Sequence, residues 1–459
     1  MTVTIKFLGA AGTVTGSKYL VTGKSAKVLI DVGLFQGTRE WRDRNWNDPD
    51  VDLKSVNAVL LTHAHIDHTG MLPRYFHLGL HAPIYCTRST HALCKILLPD
   101  SASLQEEEAD WRNSSGKSRH HPALPLYTVR DAEAVLENFR TVRYYESIEV
   151  APGVRAKWSP MGHILGAASI TLEIDGKRIT FSGDIGRYSV PILNDPVPVE
   201  FGDLLLIEST YGNRLHSEVN PKERLGEILS KAFKRDGVVV IPSFAVGRAQ
   251  LLLYYLRELK EEHRIPDVPV IIDSPMAQSA TDIYGDNPGD YDKEALDILR
   301  NGRDPFSPSK LYFTKSTQES KQLNSIVEPM IIISASGMIN GGRILHHLKH
   351  RISSPNNTIV FVGYQPPGGR GDYIQHGAET IRLLGDDVVV RADVETVSGL
   401  SAHGDKNELL RWCRECTGTP KKVAVVHGEP ESASDFAQTL EETFGWNVRI
   451  PKYLDEVTV

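Results

Sequence analysis

Over residues 3–8 apolar and polar side chains alternate, and the run ends in Gly9-Ala10-Ala11-Gly12, so the two-residue period predicts a half-buried strand and a turn. Residues 18–22 and 26–31 repeat this pattern around Gly23-Lys24-Ser25, which predicts a hairpin whose second strand closes at Asp31. Ala58-Val59-Leu60-Leu61 is apolar throughout and reads as a buried strand. A helix is expected to start within 70–78, a strand to follow over 83–86, and the long polar stretch 88–112 permits a helix. Residues 141–150, 154–159, 169–174 and 178–182 read as short strands parted by Pro-Gly and Asp-Gly turns, spaced as in an antiparallel sheet. From about Ser209 the texture changes. Apolar, largely β-branched runs at 238–241, 268–273, 330–334 and 358–363 alternate with helical stretches, one of them over 337–350. That order predicts a parallel sheet covered on both faces. An alternating strand returns near 388–398, and helix, strand, helix and a last strand follow, the first three over 406–416, 421–426 and 431–444.

A chain of 459 residues exceeds what one hydrophobic core usually supports, so two domains are expected. No repeat or low-complexity linker separates them, and the second domain reads as inserted: 209–395 between 1–208 and 396–459. The net charge of −7 gives no global basic signal, so contact with a polyanion has to come from local patches. Residues 1–9 lack the apolar core of a signal peptide, and no apolar run nears the roughly 20 residues that span a bilayer. Cys86, Cys94, Cys413 and Cys416 make no disulfide framework for a chain this long; Cys413-x-x-Cys416 is half of a zinc ribbon with no second pair. The expectation is a cytoplasmic protein without membrane contact.

The chemistry gathers where the apolar strand ends. Residues 62–70 read Thr-His-Ala-His-Ile-Asp-His-Thr-Gly and place His63, His65, Asp67 and His68 within six residues. Neutral imidazoles and a carboxylate suit Zn²⁺, which takes such ligands at about 2.0–2.2 Å. On an extended segment odd positions share a face, so His63, His65 and Asp67 are expected to point one way. His163, in Met161-Gly-His-Ile-Leu-Gly166, and Asp184, in Phe181-Ser-Gly-Asp-Ile-Gly186, stand at strand ends beside glycine. The set sorts into two positions. His63, His65 and His163 form one, and Asp67, His68 and a late histidine the other, with Asp184 bridging both. Asp31 suits an outer role, orienting a ligand histidine. Two zincs sharing a hydroxide would provide a nucleophile near neutral pH. No Ser-His-Asp elbow, Walker A loop or dinucleotide fingerprint competes.

His63-x-His65-x-Asp67-His68, with Asp31, His163 and Asp184, resembles the four motifs of the metallo-β-lactamase fold. The downstream part resembles the β-CASP branch of that superfamily. Glu208 in Glu208-Ser-Thr-Tyr-Gly212, His403 in Ser401-Ala-His-Gly-Asp405 and His427 in Val425-Val-His-Gly-Glu429 match its three extra motifs. Residues 242–250, 273–277 and 334–338 match as well. The chain is similar to bacterial and archaeal homologues of the endonuclease subunit of the cleavage and polyadenylation specificity factor. The resemblance implies an α/β protein: an αββα sandwich from 1–208 and 396–459, and a β-CASP domain with a mainly parallel sheet over 209–395.

It further implies a zinc-dependent ribonuclease acting on single-stranded RNA with two Zn²⁺ per chain, and relatives suggest a homodimer. A histidine at the third motif marks RNA-acting members, whereas DNA-repair members carry an aliphatic residue there. His427 therefore argues against a DNA nuclease, and the intact ligand set argues against a catalytically silent RNA-binding scaffold. In the expected mechanism Asp67 and Asp184 belong to the catalytic centre. His403, held by Glu208, protonates the leaving 3′-oxygen, so the ends are 5′-phosphate and 3′-hydroxyl. Arg248, Ser336 and Ser401 are the implied phosphate contacts. Two basic stretches are candidate substrate rims: Arg112, Lys117, Arg119, His120 and His121, and Arg343, Lys349 and Arg351 with His346, His347 and His350. The chain departs from the family pattern at Gly368-Gly-Arg-Gly371, where a Gly-Thr-Leu-Gly-type turn is expected.

Overall fold

A computed structural model describes residues 2–116 and 120–459. The chain forms two compact units, one from Met1–Ser189, Asn194–Leu215 and His403–Val459, the other from Val190–Leu193 and His216–Ala402.

Two seven-stranded sheets build the first unit. One runs, in spatial order, Glu456–Thr458, Thr4–Phe7, Tyr19–Thr22, Lys27–Ile30, Ala58–Leu60, Ile84–Thr87, Phe139–Val142. The other runs Val448–Arg449, Lys422–Val426, Leu204–Glu208, Lys177–Phe181, Ala168–Ile174, Val154–Pro160, Ile148–Ala151. Their inner faces share one core, in which Ile5, Phe7, Val28 and Leu60 meet Trp158, Ile170, Leu172 and Leu206. Strand Leu204–Glu208 shows why its sequence is unbroken by polar residues. Leu204 and Leu206 enter that core, while Leu205 and Ile207 face helices Lys406–Glu415 and Pro430–Phe444 through Leu409, Trp412, Phe436 and Leu440. Helix Arg88–Ser115 packs against strands Ile84–Thr87 and Phe139–Val142 of the other sheet. Helices thus flank two stacked sheets.

The strand expected over 141–150 is two strands in different sheets. Phe139–Val142 pairs parallel with Ile84–Thr87, and Ile148–Ala151 pairs antiparallel with Val154–Pro160. Between them Tyr145 adopts φ +65°, a turn conformation that alternation of side chains does not signal. The rest of that predicted antiparallel run holds, and Lys177–Phe181 adds Leu204–Glu208 in parallel.

The second unit carries a six-stranded, all-parallel sheet in the order Leu311–Phe313, Val270–Asp273, Ile331–Ser334, Val239–Pro242, Thr358–Phe361, Asp393–Thr396. The strand expected near 388–398 is again two, since Asp386–Val389 belongs to a hairpin with Thr380–Leu383. The helix expected from 337 starts only at Ile344. Gly342, at φ +80°, and the bond from Asn340 N–H to Ser336 Oγ (3.2 Å) hold the preceding residues in a loop.

Asp273 ties the carboxyl ends of this sheet together. Its Oδ1 accepts from Arg343 Nη1 (2.7 Å) and Thr314 Oγ1, and its Oδ2 from Ser320 Oγ (2.6 Å) and His347 Nε2 (2.5 Å). Burial alone would raise its pKa; the bonds from His347, Ser320, Thr314 and Arg343 outweigh that and hold it well below the usual carboxylate range. A depressed folded-state pKa contributes stability above the unfolded value of about 3.9 and loses it as the pH falls. Asp273→Ala therefore should cost about 3–5 kcal/mol at pH 7, because it strands buried His347 and half-buried Arg343 without their common acceptor. Denaturant unfolding at pH 7 and below pH 4 checks this: the gap to wild type should narrow in acid, and an unchanged gap contradicts the ion-pair account.

Candidate metal centre

Every ligand candidate follows the carboxyl end of a strand. His63 and His65 lie just past Ala58–Leu60, His163 past Val154–Pro160, Asp184 past Lys177–Phe181, and His427 past Lys422–Val426. Asp31 follows Lys27–Ile30 and, like His427, has positive φ (+56° and +49°). Such strained positions persist only where surrounding bonds fix them. His427 N–H donates to Ala10 O (2.8 Å), and Asp31 N–H to Leu60 O (2.9 Å). Glycine is needed at Gly33, where a Cβ would lie 1.6 Å from Asp67 O.

The chain does not stay extended through 63–67. Ile66–Thr69 is a helical turn, so Asp67 swings away from His63 and His65 and joins His68. His65 Nδ1 lies 3.1 Å from both His63 Nε2 and His163 Nε2. Asp184 Oδ2 lies 3.5 Å from each of those Nε2 atoms. In the second group His427 Nε2 is 3.2 Å from His68 Nε2 and 3.3 Å from Asp67 Oδ2. Asp67 Oδ2 and Asp184 Oδ1 are 3.7 and 3.4 Å from His68 Nε2. Ligands about 2.0–2.1 Å from a tetrahedral ion stand about 3.3–3.4 Å apart, so both spacings suit zinc-sized cations. Asp184 turns one oxygen to each group.

Charge and protonation fit the same reading. Asp184 is buried, and its Oδ1 finds no hydrogen-bond partner among the described residues. Burial would raise its pKa, but the histidines around it, His427 and His68 foremost, hold it far below the carboxylate range. Burial pushes the His63 pKa well down, favouring the neutral ring that a metal requires. His68 goes the other way: against burial, Asp184, Asp31 and Asp67 favour a positive charge there. A cation held there would supply that charge and leave the ring neutral.

Outer partners set the ring orientations. Asp31 Oδ2 takes the bond from His68 Nδ1 (2.7 Å) and also accepts from Thr62 Oγ1 (2.9 Å), which turns His68 Nε2 toward the ligand group. Thr210 Oγ1 sits 3.1 Å from His427 Nδ1. Sequence reasoning missed Thr62 and Thr210, because hydroxyls carry no ligand signature; their only signal is that Thr62 precedes His63 and Thr210 stands two positions past Glu208. Glu208 Oε1 accepts from Ile185 N–H (2.6 Å) and lies 3.3 Å from His403 Nδ1. Against its burial, Glu208 and Asp184 push the His403 pKa up to about 9. A backbone bridge pairs His403 with Gly186, two positions past Asp184.

Arg248, Ser336 and Ser401 belong to the other unit, outside these ligand groups. Arg248 begins helix Arg248–Glu261 and donates to Val362 O. Of the basic stretch 343–351 only His346 and His350 are exposed. Arg351 is buried, donating to Ile326 O (3.0 Å) and Leu323 O; His347 and Arg343 bind Asp273, and Lys349 pairs with Asp386 (2.5 Å). In the other stretch Lys117 and Arg119 lie outside the described residues, and Arg112 pairs with Glu108 (2.5 Å). Cys413 is buried in the outer core and Cys416 Sγ accepts from Val199 N–H (3.3 Å), so neither joins a metal-binding group among the described residues.

Comparison with known proteins agrees in three stretches. Residues 11–214 match the metallo-beta-lactamase superfamily, 249–374 the Beta-Casp domain, and 387–451 a Zn-dependent metallo-hydrolase RNA specificity domain. Ribonuclease TTHA0252 of Thermus thermophilus is 39% identical over 92% of each chain. An RNase J-like protein of Methanocaldococcus jannaschii is 32% identical over 98% of each. This chain belongs to the β-CASP ribonuclease family of the metallo-β-lactamase superfamily. Transcription termination factor FttA of M. jannaschii is 31% identical over all of this chain and 72% of its own length. A crystal structure of a protein of unknown function from Enterococcus faecalis matches along both whole chains with TM-score 0.57 at 13% identity, a likeness of fold alone. As a β-CASP enzyme the protein is a metal-dependent hydrolase. Its sandwich contributes the whole His/Asp cluster, and the RNA-specificity match contains both His403 and His427.

Proposed function

We propose that this chain hydrolyses phosphodiester bonds of single-stranded RNA with two zinc ions, leaving 5′-phosphate and 3′-hydroxyl ends, and that it works in the cytoplasm. One observation carries the reading: the carboxylate of Asp184 offers one oxygen to each of two ligand groups at coordination spacing. His63, His65 and His163 would hold one ion; Asp67, His68 and His427 the other. When bound, the pair supplies a water acidic enough to attack phosphorus near neutral pH and neutralises charge on the phosphate oxygens. Asp31 and Thr210 orient the rings of His68 and His427. Glu208 engages His403 at Nδ1, so Nε2 is the atom that delivers a proton to the departing 3′-oxygen. RNA rather than DNA is supported by the relatives named as ribonucleases, by the RNA-specificity match and by the histidine at 427. No helix among the described residues is long and apolar enough to cross a membrane.

End-group mapping tests this. Zinc-loaded protein should convert 5′- and 3′-labelled single-stranded RNA into products with 5′-phosphate and 3′-hydroxyl ends and leave the matched DNA strand uncut. A chelator should stop cleavage and added zinc restore it. Products ending in 2′,3′-cyclic phosphate would mean that the 2′-hydroxyl attacks, and the mechanism would be wrong.

A further inference from the structure

In the parallel sheet of the second unit two neighbouring strands send their connections in opposite directions. The chain leaves Val239–Pro242 for Val270–Asp273 on one side, and leaves Ile331–Ser334 for Thr358–Phe361 on the other. Val239–Pro242 and Ile331–Ser334 are neighbours, so their carboxyl ends form a switch point, where open parallel sheets bind ligands. An aromatic ring stands there. Phe244, two residues past Val239–Pro242, is 40% exposed although it has no polar atom to offer water.

The ring is bedded on backbone from two sides. A Cβ on Gly337, in the loop after Ile331–Ser334, would lie 3.1 Å from Phe244 Cδ2. One on Gly363, just past Thr358–Phe361, would lie 3.5 Å from Phe244 Cε2 and 3.8 Å from Arg248 Nη1. Gln365 Nε2 donates to Gly337 O (2.8 Å) and fastens the two loops to each other. The ring therefore cannot fold inward, and no side chain at 337 or 363 covers it. The guanidinium of Arg248 lies on the same side. A held, exposed aromatic face beside a cation matches an unpaired base and its phosphate, because every base has a π-face and stacking needs no particular sequence.

We propose that Phe244 is the stacking platform for one nucleobase of the RNA strand, which deepens the ribonuclease reading and rests on it. Stacking of this kind is sequence-tolerant, so it would fix where the strand lies without choosing which base is cut. Loss of the ring should weaken the interaction about 5- to 150-fold.

An abasic walk tests the assignment. Zinc-loaded enzyme is given single-stranded oligoribonucleotides, each lacking the base at one successive position, and kcat/KM is measured. For wild type and Phe244→Trp, removal of one particular base should lower kcat/KM by that factor. Phe244→Leu should show the loss already on the intact strand and be indifferent to base removal at that position. The added tryptophan of Phe244→Trp should be quenched by the intact strand and not by a fully abasic one. A Phe244→Leu enzyme that matches wild type on every substrate overturns the platform while leaving the ribonuclease reading intact. Wild-type protein that neither binds nor cuts RNA overturns both.

Discussion

Asp184→Ala should remove metal and hydrolysis together. Each of the two ligand groups loses an oxygen, and two positively charged ions would be left to repel each other with no carboxylate between them. Loss of an outer-shell partner of a metal ligand costs about 10–100-fold in affinity or activity; loss of a ligand common to both groups should exceed that in kcat/KM. Asp184→Asn should fare little better, because the amide keeps the shape but not the charge, and presents only one oxygen. Zinc per chain by elemental analysis, beside circular dichroism to confirm that the sandwich still forms, is the measurement. A folded Asp184→Ala protein with two zincs and ordinary turnover would remove the ground for the two-ion reading.

His403→Ala should separate chemistry from binding. The ring is outside both ligand groups, so zinc content should stay at the wild-type level while kcat falls about 10²- to 10⁴-fold, the usual contribution of general acid–base catalysis. The pH profile gives a sharper test. A group with its pKa raised to about 9 is protonated below that value, so kcat should hold at neutral pH and decline through about pH 9. Burial opposes that shift and Glu208 is its main support. In Glu208→Gln the decline should therefore move toward the ordinary histidine value of about 6.5 or lower. An alkaline limb that stays put in Glu208→Gln, or a His403→Ala protein stripped of zinc, would assign His403 to holding the centre rather than to proton delivery.

The crowding of His63, His65, Asp67 and His68 was legible in the sequence because nothing in packing asks for four ligand-capable side chains in six residues. Their division between two groups was legible only in part. Spacing alone treated 63–67 as extended, while the helical turn Ile66–Thr69 gives Asp67 to His68. That His427 lies 3.2 Å from His68 is a fact of topology that no local pattern in a span of several hundred residues contains. The sheets follow similar logic. Apolar runs marked the buried strands, but whether 139–142 and 148–151 shared a sheet depended on pairing partners far along the chain. The stretch 343–351 looked like an open basic face since its counter-charges, Asp273 and Asp386, are distant in sequence. Thr62 and Thr210 stayed invisible because a hydroxyl reveals its purpose only when its neighbour is in place.

The first four ligand candidates arrive early in the polypeptide and His427 very late. On the two-ion reading proposed above, a chain that stops short of residue 427 would hold all of the first ligand group, His63, His65, His163 and Asp184, yet lack the histidine that closes the second around Asp67 and His68.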